Sequence, residues 1–297
     1  MADFLFFVEV LFSGLLTGAL YSLVALGFVL IFKASGVFNF AQGAMMLFAA
    51  LSLVGVQEAL GVHWSIAFLI TVAIMVALAW CVEKFVLGKL VNQEPIILFM
   101  ATIGVTFFLD GFGQTVWGSD IKVLDIGLPN DIFDVGGIFI DQLELVAGLT
   151  AAALVALLAI FFNKTKIGRA LRAVADDHQA AMSVGISLRF IWIVVWTVAG
   201  LVGLVAGIMW GSKLGVQFSL SLIALKALPV LMLGGFTSIP GAIVGGLIIG
   251  AGEKMAEIYL GPIVGGAIEN WFAYMLAMLF LLFRPQGLFG EKIIERV

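Results

Sequence analysis

Charged side chains are scarce in this sequence: Asp, Glu, Lys and Arg make up 11% of 297 residues, where soluble proteins carry about 25%. That excludes an ordinary soluble domain. Cysteine is nearly absent as well. Cys81 stands alone in an apolar run, which excludes a disulfide-stapled secreted scaffold. With only two histidines, His63 and His178, no metal-ligand set is expected. No HExxH or GxSxG occurs, so no catalytic residue is assigned. The phosphate-cradling pattern G-x-x-x-x-G-K-[ST] is missing too; the chain is expected to hold no cofactor and to hydrolyse no nucleotide itself. No basic tract points to nucleic acid. No Lys or Arg precedes Lys33, so the first apolar stretch lacks the basic region of a secretory signal and is expected to be retained.

What is abundant is hydrophobic surface. Apolar residues reach 63%, with 35 glycines and a mean hydropathy of +1.19. At roughly 20 residues per membrane helix, the chain holds about eight or nine membrane segments. The fold class expected is all-α, a polytopic transmembrane helix bundle forming one domain over residues 1–297. Apolar stretches place spans near 10–32, 41–56, 64–82, 96–116, 143–162 and 191–211, with shorter pieces near 223–236, 241–252 and 264–283.

The few charges set an orientation. Lys33, Lys84, Lys89, Lys164, Lys166, Arg169, Arg172, Arg189, Arg284, Lys292 and Arg296 fall on one side under an alternating assignment, eleven of the 15 basic residues. The opposite loops hold Lys122 and Lys213; Lys226 and Lys254 lie in an ambiguous stretch. Cytoplasmic loops collect Lys and Arg, so the N-terminus is expected outside and the C-terminus in the cytoplasm. Segments 223–236 and 241–252 are short for full spans. Pro229 interrupts the first, and Gly234, Gly235, Pro240 and Gly241 separate the two. This is read either as a tight turn between helices or as a broken, re-entrant pair, whose irregular backbone would need protein or water around it.

Glycine recurs every fourth residue at Gly203, Gly207, Gly211 and Gly215, and again at Gly14 and Gly18 and at Gly246 and Gly250. Residues four apart share a helix face, so these stripes let neighbouring backbones approach. Polar groups inside the spans are few. Thr102, Thr106 and Asp110 share one face of the fourth span, either as a structural strip inside the bundle or along a solute path. Asn39 and Gln42 have capping-box spacing at the start of the second span; lining of a pathway is the other reading. Between 163 and 190 lies a basic loop with Gly168, Arg169 and Arg172, then Asp176 or Asp177 as a cap for a short alanine-rich helix, with Gly185 suited to its C-terminal stop. It is read as a surface helix on anionic lipid or as a helix shaped for a groove. The outer loop 117–142 is acidic, and Gly136-Gly137 hints at a hairpin.

Several of these segments resemble one family. Ser13-Gly14-Leu15-Leu16-Thr17-Gly18 through Gly27 is similar to the first span of the permease subunits of branched-chain amino acid ABC importers, LivH-type. Asn39-Phe40-Ala41-Gln42-Gly43 resembles that family's N-F-A-H-G segment, and Gly168-Arg169-Ala170-Leu171-Arg172 through Gly185-Ile186 its cytoplasmic coupling loop. Gly234-Gly235 through Pro240-Gly241 resembles its glycine-rich late segment, and Arg284-Pro285-Gln286-Gly287-Leu288-Phe289-Gly290 its terminal R-P-x-G-L-x-G. Gln42 stands where many relatives have His and Ala44 where many have Glu, so two titratable groups are lost.

The resemblance implies a multi-pass subunit of the bacterial inner membrane forming half of a translocation path. Implied partners are a second, LivM-type permease as heterodimer mate, two cytoplasmic ATPases that use ATP and Mg, a periplasmic or lipid-anchored binding protein, and membrane lipid. Residues 165–186 of the loop 163–190 would dock on the ATPase, and the loop 117–142 would meet the binding protein. Branched-chain amino acids, urea, amides and small organic acids all fall within the range of solutes implied. A self-sufficient secondary transporter or channel is the alternative, and it leaves the basic inner loop unexplained.

Overall fold

A computed structural model of the chain describes residues 2–90, 93–129, 131–176 and 178–290. In order, the helices are α1 (Ala2–Ser35), α2 (Gln42–Leu60), α3 (Trp64–Phe85) and α4 (Pro95–Trp117), then a hairpin of β1 (Ile132–Asp134) and β2 (Phe139–Asp141). There follow α5 (Gln142–Lys164), α6 (Lys166–Asp176), α7 (His178–Ser183), α8 (Leu188–Leu214), α9 (Leu220–Lys226), α10 (Leu228–Gly234), α11 (Ile239–Val264) and α12 (Phe272–Phe283). Among the described residues, seven helices are long and apolar enough to cross a membrane, and Leu220–Gly234 and Phe272–Phe283 are shorter apolar pieces. The polytopic helical class expected from composition is what the chain adopts.

The late pieces differ from their expected bounds. The stretch 241–252 is the first half of α11, which continues to Val264 and has 26 residues. Glu253 and Lys254 do not end this helix, because Glu253 is held inside the protein by two partners described below. The break instead falls inside the preceding piece, between Lys226 and Leu228, where Pro229 sits in the first turn of α10. The last segment is also shorter than 264–283. Gly265 and Gly266 take positive φ, and α12 begins only at Phe272.

The chain divides into two compact units. The first comprises residues 1–29, 127–152 and 223–297. In it α1 and α11 meet backbone to backbone. A Cβ added at Gly18 would lie 2.3 Å from the Gly246 carbonyl oxygen, and one at Gly250 would lie 2.3 Å from Gly18 N. The two short glycine stripes read from the sequence therefore face each other. Ser22 adds a hydroxyl that donates to the Gly18 carbonyl at 2.9 Å and reaches the Ala242 carbonyl at 3.2 Å.

The turn between α10 and α11 is equally close. Gly234 and Gly241 touch through their backbones, and the Ser238 hydroxyl caps α11 by accepting from Gly241 N–H at 3.0 Å. The last carbonyls of α10, orphaned at a helix end, are taken by the terminal segment. Leu288 N–H donates to Leu233 O at 2.7 Å and Phe289 N–H to Gly234 O at 3.1 Å. Gly235 lies against Gly287 and Gly290, so two glycine motifs some fifty residues apart in sequence form one lock.

The second unit comprises residues 30–126 and 153–222, with α2 packed among α3, α4 and α8. Here the glycine stripe of α8 meets α2: Gly203 and Gly207 both lie against Met46. The stripe's last two members, Gly211 and Gly215, instead meet Val216 and Ile121, where Lys122 and Val216 pair as a β-bridge. Lys122 also forms an ion pair with Glu58.

Candidate functional site

The segment 163–190 starts with a sharp reversal from α5 into α6. The Thr165 hydroxyl donates to the Phe161 carbonyl (2.7 Å) and accepts from Gly168 N–H (2.9 Å). A Cβ at Gly168 would lie 2.5 Å from the carbonyl oxygens of Phe161 and Phe162, so the reversal requires glycine there. α6 buries Gly168, Leu171 and Val174, which share a face at three-residue spacing. Arg169 projects outward. Arg172 is half-buried, and its guanidinium donates to Asn163 Oδ1 at 3.0 Å. Asp176 is the exposed last residue of α6 rather than a cap of the next helix; Asp177 lies outside the described residues.

α7 ends as the glycine promised. Gly185 has φ +87, its N–H donates to Met182 O at 3.0 Å, and Ile186 N–H donates to Ala181 O at 3.1 Å. These are the paired bonds of a Schellman stop. Met182 and Val184 stand out at 48% and 75% exposure, an apolar pair at the tip of the segment that composition alone does not single out. The segment is anchored by Arg189, whose Nε donates to Glu83 Oε2 at 3.0 Å. Glu83 is 2% exposed. It too escapes the sequence reasoning, although a lone acid ending an apolar run is a recognisable signal.

The polar candidates of the second unit divide into two groups. Asn39, Gln42 and Thr102 are brought together, all buried. Thr102 Oγ1 accepts from Phe40 N–H at 3.0 Å and donates to the Phe99 carbonyl at 2.8 Å. Asn39 Oδ1 accepts from Ala41 N–H at 3.1 Å, and Gln42 Nε2 donates to the Ala199 carbonyl of α8 at 3.2 Å. The capping box is therefore not formed. α2 begins at Gln42 with no side-chain cap, and Gln42 reaches across because Gly203, one turn past Ala199, leaves that carbonyl uncovered.

Thr106 and Asp110 stand apart, about 6 and 12 Å further along α4 by helical rise. The Thr106 hydroxyl turns back to the Thr102 carbonyl at 2.9 Å, whereas Asp110 Oδ1 is buried without a hydrogen-bond partner. A cleft of about 670 Å³ between α3 and α4, lined by side chains such as Cys81, Phe85, Val105 and Phe108, is apolar and includes none of these five residues.

The first unit carries a charged cluster that the sequence pattern does not single out. Glu253 of α11 is 3% exposed. Its Oε1 accepts from Lys226 Nζ at 2.9 Å and from the Tyr21 hydroxyl at 3.2 Å, while Oε2 is buried without a partner. Lys226 lies 3.9 Å from Glu269 as well. The cluster joins α1, the broken α9–α10 stretch and α11. An acid within Gly250-Ala251-Gly252-Glu253-Lys254 is the available signal; the adjacent lysine disguises it as a helix end. Among the described residues, no group of three or more His, Cys, Asp or Glu is placed to hold a metal ion.

Comparison with known proteins bears on the chain as a whole. A family model described as the branched-chain amino acid transport system permease component matches residues 10–284. The high-affinity branched-chain amino acid transport system permease protein LivH of Salmonella typhimurium is 28% identical, over 99% of both chains. BraD of Pseudomonas aeruginosa is 26% identical over 100% of each. A probable LivH of Methanocaldococcus jannaschii is 26% identical over 90% of this chain and 88% of its own.

Proposed function

This chain belongs to the branched-chain amino acid transport system permease family, and from that premise we propose that it is a membrane permease subunit of a binding-protein-dependent ABC importer. Its solutes are branched-chain amino acids or related small polar molecules. The family match across residues 10–284 carries this reading. The subunit supplies half of a pathway in the cytoplasmic membrane, with a LivM-type permease as the other half. Two ATPases bind ATP and Mg on the cytoplasmic side, and an external binding protein delivers solute. The N-terminus lies outside, as the distribution of Lys and Arg supports.

Within this assembly the segment 163–190 is the contact with an ATPase, and 117–142 faces the binding protein. The exposed Arg169, Met182 and Val184 present charge and apolar surface for a groove. Arg172, Asp176 and Gly185 shape the segment, and the Arg189–Glu83 pair passes its displacement to α3 and α8. Asn39, Gln42, Thr102, Thr106 and Asp110 border the solute path, and the turn at Gly234, Gly235, Pro240 and Gly241 holds the ends of α10 and α11.

Reconstitution into proteoliposomes tests the reading. With its second permease, ATPases and binding protein, the subunit takes up leucine only when ATP is present; uptake by the subunit alone would make it a secondary carrier instead. Gly185→Trp forces a bulky side chain into positive φ beside the tip of α7 and uncouples ATP hydrolysis from uptake, lowering uptake by about tenfold or more. Normal uptake by that variant would remove the segment from the coupling path.

A further inference from the structure

The second unit holds a pocket of about 330 Å³ where the end of α3 and the short turn after it meet the start of α8. Its wall includes Lys84, Lys89, Arg189, Glu83 and Trp192, so three cations share it with one carboxylate. That carboxylate is already engaged, since Glu83 accepts from Arg189 Nε at 3.0 Å. Among the described residues the Lys89 ammonium has neither an ion pair nor a hydrogen bond. Lys84 has only aromatic neighbours, its Nζ 4.3 Å from the centre of the Trp80 ring and 5.4 Å from that of Phe85. Both lysines are exposed. The indole N–H of Trp192 is buried without an acceptor. The pocket therefore has an excess of positive charge and unused donors, the makings of an anion site.

The surroundings say which anion. Lys84 stacked on Trp80 at the end of a long apolar helix marks a membrane boundary, and α3 leaves Leu69, Val76 and Phe85 exposed. Phe85 and Val86, in the same turn as Lys84, line the apolar cleft of about 670 Å³ between α3 and α4. A soluble phosphate would leave that apolar surface unused. A helix of a second permease laid in the cleft would leave the two ammonium groups without an anion. We propose that this pocket holds the headgroup phosphate of an anionic phospholipid on Lys84, Lys89 and the Nη groups of Arg189, with an acyl chain along the α3–α4 cleft. Basic pockets between membrane helices on the cytoplasmic side bind such headgroups, and the distribution of Lys and Arg supports that side for Lys84 and Lys89. The bound phosphate ties the end of α3 to the start of α8, alongside the Arg189–Glu83 pair. The proposal needs only that the chain crosses a membrane, so it stands or falls apart from the importer reading.

The test is native mass spectrometry of the purified complex, titrated with phosphatidylglycerol or with phosphatidylcholine. The subunit is ejected by collisional activation and the lipid it carries is counted, so that sites on other subunits do not contribute. Wild type binds its first phosphatidylglycerol about tenfold more tightly than phosphatidylcholine. The double variant Lys84→Gln/Lys89→Gln loses that preference, with phosphatidylglycerol weakened about tenfold or more and phosphatidylcholine unchanged. Lys84→Arg/Lys89→Arg keeps the charge and stays within about threefold of wild type. Glycerol 3-phosphate, a headgroup without chains, does not displace the lipid at about a hundredfold excess. Unchanged phosphatidylglycerol affinity in the glutamine variant overturns the site, and displacement by glycerol 3-phosphate makes it a site for soluble anions instead. Loss of an ATPase from the glutamine variant with lipid affinity intact assigns the pocket to an acidic side chain of that partner and likewise overturns it.

Should the glutamine variant fail to assemble, Gly104→Trp carries the test without altering charge. Gly104 lines the cleft, and a Cβ added there meets nothing within 4 Å. The indole fills the cleft and weakens phosphatidylglycerol severalfold. Lipid binding unchanged in Gly104→Trp, with the second permease lost from the complex, shows the cleft to be a subunit interface and overturns the proposal.

Discussion

The two compact units solve the same problem, joining helices where no water is available, by opposite means. In the first, α1 and α11 press bare backbone on bare backbone at Gly18, Gly246 and Gly250, and the polar link is ionic, Lys226 on Glu253. In the second, Gly203 and Gly207 of α8 meet the Met46 residue of α2, and the polar link between those two helices is neutral, the Gln42 amide on the Ala199 carbonyl. The ionic pair of Arg189 with Glu83 ties α8 to α3 instead. Without a hydrophobic drive between helices in lipid, packing and hydrogen bonds carry association. Backbone against backbone has no soft side chain to yield. Gly207 also faces a backbone oxygen, that of Met46, but a Cβ at Gly203 would keep 3.4 Å or more from its neighbours. Gly18, Gly246 and Gly250 are all tight, so the first unit is the less forgiving of the two.

The largest effect is therefore expected at Gly18. In Gly18→Val the new Cβ meets the Gly246 carbonyl at 2.3 Å, and relief requires one whole helix to move. Overpacking of a well-packed core costs about 1–3 kcal/mol, and more when backbone must shift; about 3 kcal/mol or more is expected here. Unfolding in rising SDS fraction, monitored by tryptophan fluorescence, reads this directly. A shift no greater than that of Gly203→Ala would erase the contrast between the units.

Next in size is Glu253→Ala. Removing a carboxylate from a buried pair leaves its partner charge uncompensated, a cost of about 3–5 kcal/mol when both are fully enclosed. Lys226 keeps 29% side-chain exposure and Glu269 at 3.9 Å, so about 2 kcal/mol is expected by the same reasoning. A double-mutant cycle of Glu253→Ala with Lys226→Ala isolates the coupling. Additive losses would show that the two residues stabilise the bundle independently and that the link is not ionic.

The same contrast governs how much of the molecule is legible in its sequence. Glycine stripes at Gly14/Gly18 and Gly246/Gly250 are local and periodic, so the faces they form can be read directly; that they meet one another is a long-range fact no period encodes. The stop at Gly185 is legible because helix termination depends on backbone sterics within a few residues. The span beginning at 241 looks too short in sequence because Glu253 and Lys254 resemble a membrane boundary. Only the fold shows Tyr21 and Lys226 waiting for that carboxylate. Asn39 and Gln42 carry a correct local pattern overridden by tertiary structure: the amide finds a better-placed carbonyl on α8 than the orphan N–H groups of its own helix. Arg189 and Glu83, and the lock between Gly235 and Gly287, are likewise pairings across long sequence separation.

The smallest effects test the neutral link, and here two changes must be weighed together. Gln42→Leu removes the bond to Ala199 O, whose carbonyl still serves its own helix ladder, so the loss is about 1 kcal/mol or less, as measured for interhelical hydrogen bonds in membranes. Gly203→Ala adds a methyl group 3.4 Å from Gln42 Nε2 and 3.5 Å from Met46 N, a contact that a shift of the amide relieves. Alanine also favours the helix over glycine by about 0.8–1.0 kcal/mol. The opposing terms leave Gly203→Ala within about 0.5 kcal/mol of wild type. In the Gln42→Leu background the amide no longer competes for that space. The alanine then costs nothing or stabilises if the crowding acts through Gln42, and costs the same as before if it acts through the Met46 backbone. The sign of that difference, measured by SDS unfolding of the four proteins, decides whether Gly203 exists to admit a helix or to uncover a carbonyl.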